Sequence, residues 1–330
     1  MVHIHDILGK DAPREPMPDW VAPMLATLTH DLRARPGWRY ERKYDGERCL
    51  AYRRDGVLSL WSRNRHALDG AYPEIAAALD RPGPDFILDG EITAAQGNLS
   101  DFQVLQKRMQ ISDPAQARAS GIRVFYNLFD LLHYDGVNLR PLPQHQRKQA
   151  LQALIPASGG IEVATSFTTW SPEFQHEICA RGWEGLIAKD PDAPYVSRRA
   201  RSWLKYKCAM SQAFVIAGYT DPKGSRVGFG ALLLGVCDDA GQLHYAGKVG
   251  TGFDDELLRD LAARMKPLEV PRPAFVDPPR ATRGVHWLSP ALVAEVGFSE
   301  WTDAGRLRHP RFLGLRDDKA PWETRREDPE

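Results

Sequence analysis

Glu41-Arg42-Lys43-Tyr44-Asp45-Gly46-Glu47-Arg48 is almost free of apolar side chains, yet it lies between two runs that alternate like strands. Upstream, Trp38 and Tyr40 alternate with Arg39 and Glu41; downstream, Leu50 and Tyr52 alternate with Ala51 and Arg53. Alternation of period two marks a half-buried strand. Asp45-Gly46 is a turn signal, because glycine tolerates positive φ and aspartate bonds nearby backbone. The pattern predicts a hairpin with Lys43 at a strand end, inside a dense field of charge. A solvated turn is the simplest meaning of an isolated K-x-D-G, so the rest of the chain has to decide.

The chain has 330 residues, enough for two domains. Its 43% hydrophobic and 26% charged content is that of an ordinary globular protein. No apolar run is long enough for a membrane helix, and the polar N-terminus lacks the apolar stretch of a secretory signal. Cys49, Cys179, Cys208 and Cys237 are far apart with no C-x-x-C pair, which argues against a structural zinc and a disulfide framework and suits a reducing cytoplasm. Lysine plus arginine equals aspartate plus glutamate, 43 each. Two acid-free basic runs stand out nonetheless: 197–207, with Arg198, Arg199, Arg201, Lys205 and Lys207, and 306–316, with Arg306, Arg308, Arg311 and Arg316. Both point to a polyanion partner.

In order along the chain, residues 1–19 read as a flexible leader and 19–35 as an apolar segment packed on the first domain. Strands are predicted at 57–62, 86–92, 124–132, 184–189 and 202–207, and helices at 73–78, 101–109 (capped by Ser100 or Asp101), 144–155 and 174–180. Alternation places Asp89 and Glu91 on one face, and Phe125, Asn127, Phe129 and Leu131 on another. Beyond Met210 the texture changes to short strands separated by Asp/Gly turns, with one helix at 254–265. This is the pattern of a small barrel of OB type. The expected domains are therefore 20–208 and 209–330.

Lined up, the strands carry Lys43-Tyr44-Asp45-Gly46-Glu47-Arg48, Ser62-Arg63-Asn64, Leu88-Asp89-Gly90-Glu91, Phe129-Asp130-Leu131-Leu132, Glu184-Gly185-Leu186-Ile187-Ala188-Lys189 and Trp203-Leu204-Lys205-Tyr206-Lys207, followed by Arg316-Asp317-Asp318-Lys319. In this order the set resembles the covalent nucleotidyltransferase superfamily of ATP-dependent DNA ligases, RNA ligases and mRNA-capping enzymes. The likeness runs from about Trp20 to Lys319. Within the superfamily it is most similar to the ligase module of the bacterial multifunctional end-joining ligases and their stand-alone relatives, on Pro23-Met24-Leu25-Ala26, Gly247-Lys248-Val249-Gly250-Thr251-Gly252-Phe253 and His309-Pro310-Arg311-Phe312-Leu313-Gly314-Leu315-Arg316.

The resemblance implies an α+β fold, in which an adenylation domain of antiparallel sheets with flanking helices precedes an OB-fold β-barrel. It implies that Lys43 attacks the α-phosphorus of ATP and becomes an AMP-lysine. AMP then passes to the 5′-phosphate of a nick in double-stranded DNA, and the 3′-hydroxyl seals it. A lysine of ordinary pKa, near 10.4, is well under about 1% neutral at pH 7. Burial and the cations Arg48, Lys205 and Lys207, together with a metal, are expected to favour the neutral amine. Lys205 and Lys207 suit the charge that gathers on the α-phosphate. Glu91 and Glu184 offer hard oxygens to Mg²⁺ or Mn²⁺.

By resemblance alone, Arg63 and Arg199 reach ribose or phosphate, Phe129 stacks the adenine, Glu41 flanks the base, and Glu91 also meets the ribose. Arg316 and Lys319 would orient the leaving pyrophosphate by domain closure. Lys189, five residues from Glu184, is expected on the opposite strand face and outside the site. The expected setting is a monomer in the bacterial cytoplasm, at the nucleoid and away from membranes, serving DNA repair, with a DNA-end-binding repair protein as partner. An RNA ligase or a GTP-using capping-type guanylyltransferase is the alternative enzyme, and a non-catalytic DNA-binding relative the alternative of another class.

Overall fold

The computed structural model describes residues 4–9, 12–29, 32–96, 99–100, 102–155, 159–279 and 283–327. The chain divides into two compact units, one ending at Cys208 and one starting at Ala209.

The first unit is built on two sheets. One orders the strands Leu25–Leu28, Arg199–Lys207, Gly185–Lys189, Arg39–Lys43 and Ser166–Phe167; the other orders Val57–Ser62, Glu47–Arg54, Phe86–Gln96, Val124–Tyr134 and Val137–Asn138. Their inner faces share a core in which Leu50, Tyr52, Ile87 and Leu132 of the second sheet meet Trp203 of the first. Helices cover the outer faces. Ile75, Leu105 and Leu151 of three helices pack on Leu60, Leu88 and Tyr126, while Ile178 of the Pro172–Ala180 helix packs near Tyr40, Leu186 and Leu204. The sequence alternates accordingly: Tyr40, Leu186 and Leu204 face the helix, and Glu41, Ile187 and Lys205 face the other sheet.

The opening stretch is not a hairpin. Arg39–Lys43 and Glu47–Arg54 belong to different sheets, and residues 44–46 carry the chain from one to the other. Gly46 is required by closeness rather than by φ, since a Cβ there would lie 2.1 Å from the carbonyl oxygen of Ile92. Asp-Gly signals a tight spot in both cases, and only the neighbouring strand distinguishes them.

The sheets are mixed rather than purely antiparallel. Leu25–Leu28 runs parallel to Arg199–Lys207, and Val124–Tyr134 runs parallel to Ile161–Val163. The second pair is joined through the Gln144–Leu154 helix, the crossover that a parallel pair needs. Phase is also lost in Val124–Tyr134. Its pairing with Phe86–Gln96 shifts register at two places, so Leu131 joins Tyr126 and Leu128 in the outer core while Phe129 and Leu132 turn inward. Bulges of this kind re-aim side chains, and they remove Leu131 from the face predicted for Phe129.

The stretch expected as a flexible leader contains the helix Ile4–Leu8, whose Leu8 is buried in the outer core. Glu15 donates its backbone N–H to the Gly136 carbonyl, and Asn138 bonds the Glu15 carboxylate at 2.8 Å. Asp101, a predicted cap, lies outside the described residues. Cys179 and Cys208 form a disulfide with their Cα atoms 5.3 Å apart, against the expectation from spacing. A helix end and a strand end meet there across 29 residues, which spacing alone does not reveal. Cys49 and Cys237 are free and buried.

In the second unit, six strands form one sheet in the order Leu243–Val249, Leu232–Cys237, Ser211–Thr220, Val285–Gly297 and Glu269–Val270, with Arg311–Leu315 also on Val285–Gly297. No closing pair joins its edges among the described residues, so the predicted barrel is an open sheet, an arrangement OB-type folds tolerate. The Asp255–Met265 helix starts at Asp254, whose side chain accepts from Leu257 N–H at 2.8 Å. It buries Leu258, Leu261 and Met265.

Candidate active site

The site is assembled from three rungs of the first sheet and the facing surface of the second. In the first sheet Gly185 pairs with Lys43 on one side and Lys207 on the other; Ile187 pairs with Glu41 and Lys205; Lys189 pairs with Arg39 and Trp203. Residues in register share a face, so Lys43, Lys207, Glu41, Lys205 and Lys189 all project into the space between the sheets. Gly185 keeps the rung between the two lysines clear, and a Cβ on it would lie 1.9 Å from the Tyr206 carbonyl oxygen.

Lys43 Nζ donates to Glu184 Oε2. Burial pushes the Lys43 ammonium toward neutrality, but the carboxylates of Glu184, Asp45 and Glu91 outweigh it and hold its pKa above the ordinary lysine value. The lowered pKa expected from Arg48, Lys205 and Lys207 is therefore not found. Three carboxylates act on the lysine, whereas the nearest predicted cation is already neutralised. Arg48 Nε and Nη2 each donate to the fully buried Asp89 carboxylate at 2.6 Å. Tyr195 OH gives Asp89 a third bond at 2.7 Å and takes Met24 N–H at 2.8 Å. Held this way, the Arg48 guanidinium lies 4.6 Å from the centre of the Phe129 ring.

Glu41 is almost wholly buried at 2% exposure. Burial would raise its pKa, yet Lys148 and Lys189 bring it down to about 2. Lys189 Nζ donates to Glu41 Oε2 at 2.7 Å and lies 4.8 Å from the Phe129 ring centre and 4.3 Å from that of Trp203. Lys189 thus belongs to the site, contrary to expectation. Glu184 precedes the Gly185–Lys189 strand and reaches Lys43 from its end, while Lys189 keeps the inward phase. Burial lowers the Lys189 pKa.

The remaining predicted residues are placed less centrally. Arg63 follows the Val57–Ser62 strand, and Arg199 is exposed at the far end of its strand, donating to the Ala26 carbonyl. Arg316 and Lys319 are in the second unit. Arg316 makes a two-pronged contact with Asp318 at 2.8 and 2.7 Å and faces Glu295 at 3.5 Å. Burial, then the Arg316 charge, lowers the Lys319 pKa to about 8. The basic run 306–316 is largely neutralised: Arg308 pairs with Glu300 at 2.5 Å and Arg306 with Asp277 at 3.5 Å, acids supplied from outside the run. Arg198, Arg199 and Arg201 of the other run stay exposed.

For a divalent cation, the donor set around Lys43 is Glu184 and Glu91, the latter with its Cγ within 3.0 Å of a Cβ placed on Gly46. No group of three or more His, Cys, Asp or Glu suited to a metal occurs among the described residues. Two carboxylates fit Mg²⁺, which takes few protein ligands and keeps waters and substrate oxygens as the others.

The surplus of carboxylates on Lys43 has a measurable consequence. Glu184→Gln removes the largest electrostatic contribution that holds the ammonium, so the pH midpoint of nucleotide attachment to Lys43 should move to lower pH. Rates of label incorporation from pH 6 to 10 check this; an unchanged or raised midpoint contradicts it.

Residues 23–207 match the model of the ATP dependent DNA ligase domain, and residues 225–319 match that of the ATP dependent DNA ligase C terminal region. The chain belongs to the ATP-dependent DNA ligases. It is 38% identical over 331 residues to the multifunctional non-homologous end joining protein LigD of Pseudomonas aeruginosa, and 36% identical over 314 residues to that of Mycolicibacterium smegmatis. These alignments cover 97% and 93% of this ligase chain but 38% and 40% of the relatives, so the chain spans well under half of their length. A solved mycobacterial DNA ligase D, complexed with ATP and MES, is 34% identical with a TM-score of 0.65; the match covers 93% of this chain and 98% of that one. The two-part α+β architecture of the family therefore holds for this chain.

Proposed function

We propose that this chain seals breaks with a 3′-hydroxyl and a 5′-phosphate in double-stranded DNA, through an AMP-lysine on Lys43 and a DNA-adenylate. The observation that carries this reading is the Lys43 rung: a partly buried lysine against Glu184, with Lys207 across Gly185 and Lys205 one rung along. Lys43 Nζ, once deprotonated, bonds the α-phosphorus while the bond to the pyrophosphate oxygen breaks. Lys205 and Lys207 hold the charge on the α-phosphate as cations projecting from one strand face. Glu91 and Glu184 would hold a divalent cation, which would supply Lewis-acid charge to the phosphates. Phe129 offers its ring to the base, with Arg48 locked by Asp89 beside it.

Names of the relatives support a role in end-joining repair; a DNA-end-binding protein as partner and a setting in the bacterial cytoplasm belong to the same proposal. The exposed Arg198, Arg199 and Arg201 suit the DNA backbone, which makes binding salt-sensitive. No helix among the described residues is long and apolar enough to cross a membrane.

Sealing of a nicked duplex by the chain with ATP and Mg²⁺ or Mn²⁺ tests the proposal, and failure on every nicked, gapped or broken duplex removes it. Arg316→Ala separates the steps. It should slow AMP-lysine formation by roughly 100-fold, the scale for losing one preorganised donor to a developing anion. Sealing of pre-adenylated nicks should change far less. Equal loss in both assays contradicts a pyrophosphate role for Arg316.

A further inference from the structure

Glu41 has two lysines where one would neutralise it. Lys189 donates to Oε2, while Lys148 Nζ lies 2.8 Å from Oε1 and Ser166 Oγ donates to Oε1, also at 2.8 Å. Lys148 comes from the Gln144–Leu154 helix, outside every motif of the chain, and its side chain is only 7% exposed. Burying an ammonium costs several kcal/mol unless a carboxylate compensates it. The neighbouring Arg147 shows what fixes the helix: it is fully buried, donates to both Asp130 oxygens at 2.7 and 2.9 Å, and donates to the Leu142 and Ala193 carbonyls. Arg147 thereby seats the helix, and the next residue carries its charge to Glu41.

A carboxylate offers about four acceptor positions. Ser166 donates to Oε1, with the Lys148 ammonium paired to the same oxygen at 2.8 Å, and Lys189 donates to Oε2, so that among the described contacts Oε2 has an acceptor position open beside the ammonium that lies over Phe129. An ionised carboxylate accepts and never donates. At a purine edge it favours a 6-amino group and repels a 6-oxo group, so it selects adenine over guanine.

We infer that Lys148 is a positioning residue for nucleotide selection, which clamps Glu41 so that its open acceptor position on Oε2 meets the 6-amino group of the base. This rests on the proposed nucleotide site. Lys189 cannot do the task alone, because it also serves the Phe129 and Trp203 rings and burial weakens its charge. Lys148 has no ring contact among those described and serves the carboxylate.

The test is a cycle between a substrate edit and a mutation, using the full chain. AMP-lysine-type labelling is measured with ATP, with purine riboside triphosphate, which lacks the 6-amino group, and with GTP. In the parent, removing the 6-amino group should lower kcat/KM by roughly 100-fold, as for a site built to bond a missing group. In Lys148→Met that penalty should shrink to less than about tenfold, mostly through KM for ATP, and discrimination against GTP should fall in parallel. Lys148→Arg, which keeps the charge, should restore most of the discrimination. Thermal melting shows whether each variant is folded, and Lys148→Arg carries the comparison if Lys148→Met is not. A Lys148→Met enzyme that keeps the parent's full 6-amino penalty and GTP discrimination overturns the inference, as does an equal fall with all three nucleotides. A parent that takes no label from ATP removes the ligase reading itself, which is a separate result.

Discussion

Lys43→Ala should abolish transfer of labelled AMP from ATP to the protein, and with it the sealing of nicked DNA from ATP. The amine that forms the phosphoramide bond is gone, and nothing else on the inward face substitutes. Lys207 and Lys205 point into the same space but sit across Gly185 and Ile187, both two strands away. Loss of a covalent nucleophile typically removes most of the rate enhancement, on the order of 10⁴-fold or more. Lys43→Arg should fail equally, since a guanidinium stays protonated at any working pH. Gel autoradiography after incubation with α-labelled ATP reads both variants. Label retained at more than about 1% of the parent level would place the nucleophile elsewhere. Pre-adenylated nicks give a separate readout, because they need no AMP-lysine. Some sealing of them should survive, which shows that the variant is folded.

Asp89→Ala should produce the largest loss of stability among substitutions in the site. Asp89 is fully buried and accepts two bonds from Arg48 and one from Tyr195, whose hydroxyl in turn fixes Met24. Removing it leaves a guanidinium without its counter-charge between the sheets, which costs about 3–5 kcal/mol. For a unit of this size that corresponds to a fall in melting temperature of roughly 10 °C. Asp89→Asn keeps an acceptor for Tyr195 and should lose less. Calorimetry reads the transition of the first unit; a shift under about 2 °C would mean that water compensates Arg48. The guanidinium would also leave its place over Phe129, so nucleotide attachment should weaken along with stability.

These two residues mark what the sequence does and does not reveal. The strands holding Lys43, Arg48, Asp89, Glu91, Phe129, Lys205 and Lys207 are legible because alternation and punctuation are local properties of the chain. Their order identifies the family. What escaped depends on partners distant in sequence. Asp-Gly at 45–46 has the same letters whether the chain turns back or passes between two sheets, and the carbonyl of Ile92 decides it. The phase of Phe129 against Leu131 is set by bulges against a neighbouring strand, which alternation cannot register. Lys189 was excluded by a parity count anchored on Glu184, a residue outside the regular strand. The expected lowering of the Lys43 pKa fails because Arg48, near it in sequence, is neutralised by Asp89, whereas Glu184, Asp45 and Glu91 act on the lysine. Lys148 carries no motif, and its burial against Glu41 follows from the seating of a helix by Arg147. The Cys179–Cys208 pairing is likewise a matter of where two element ends meet.

The measurement that tests the central claim most directly follows one labelled phosphate through the whole reaction. The chain is incubated with α-labelled ATP and Mg²⁺, separated from free nucleotide, digested and mapped, and a parallel sample is chased with a nicked duplex. The account predicts label on Lys43 alone, pyrophosphate released in equal amount, transfer of the label to the 5′-phosphate of the nick, and release as AMP when the strand is sealed. Label on another residue, or label on Lys43 that no nicked duplex can remove, would contradict it.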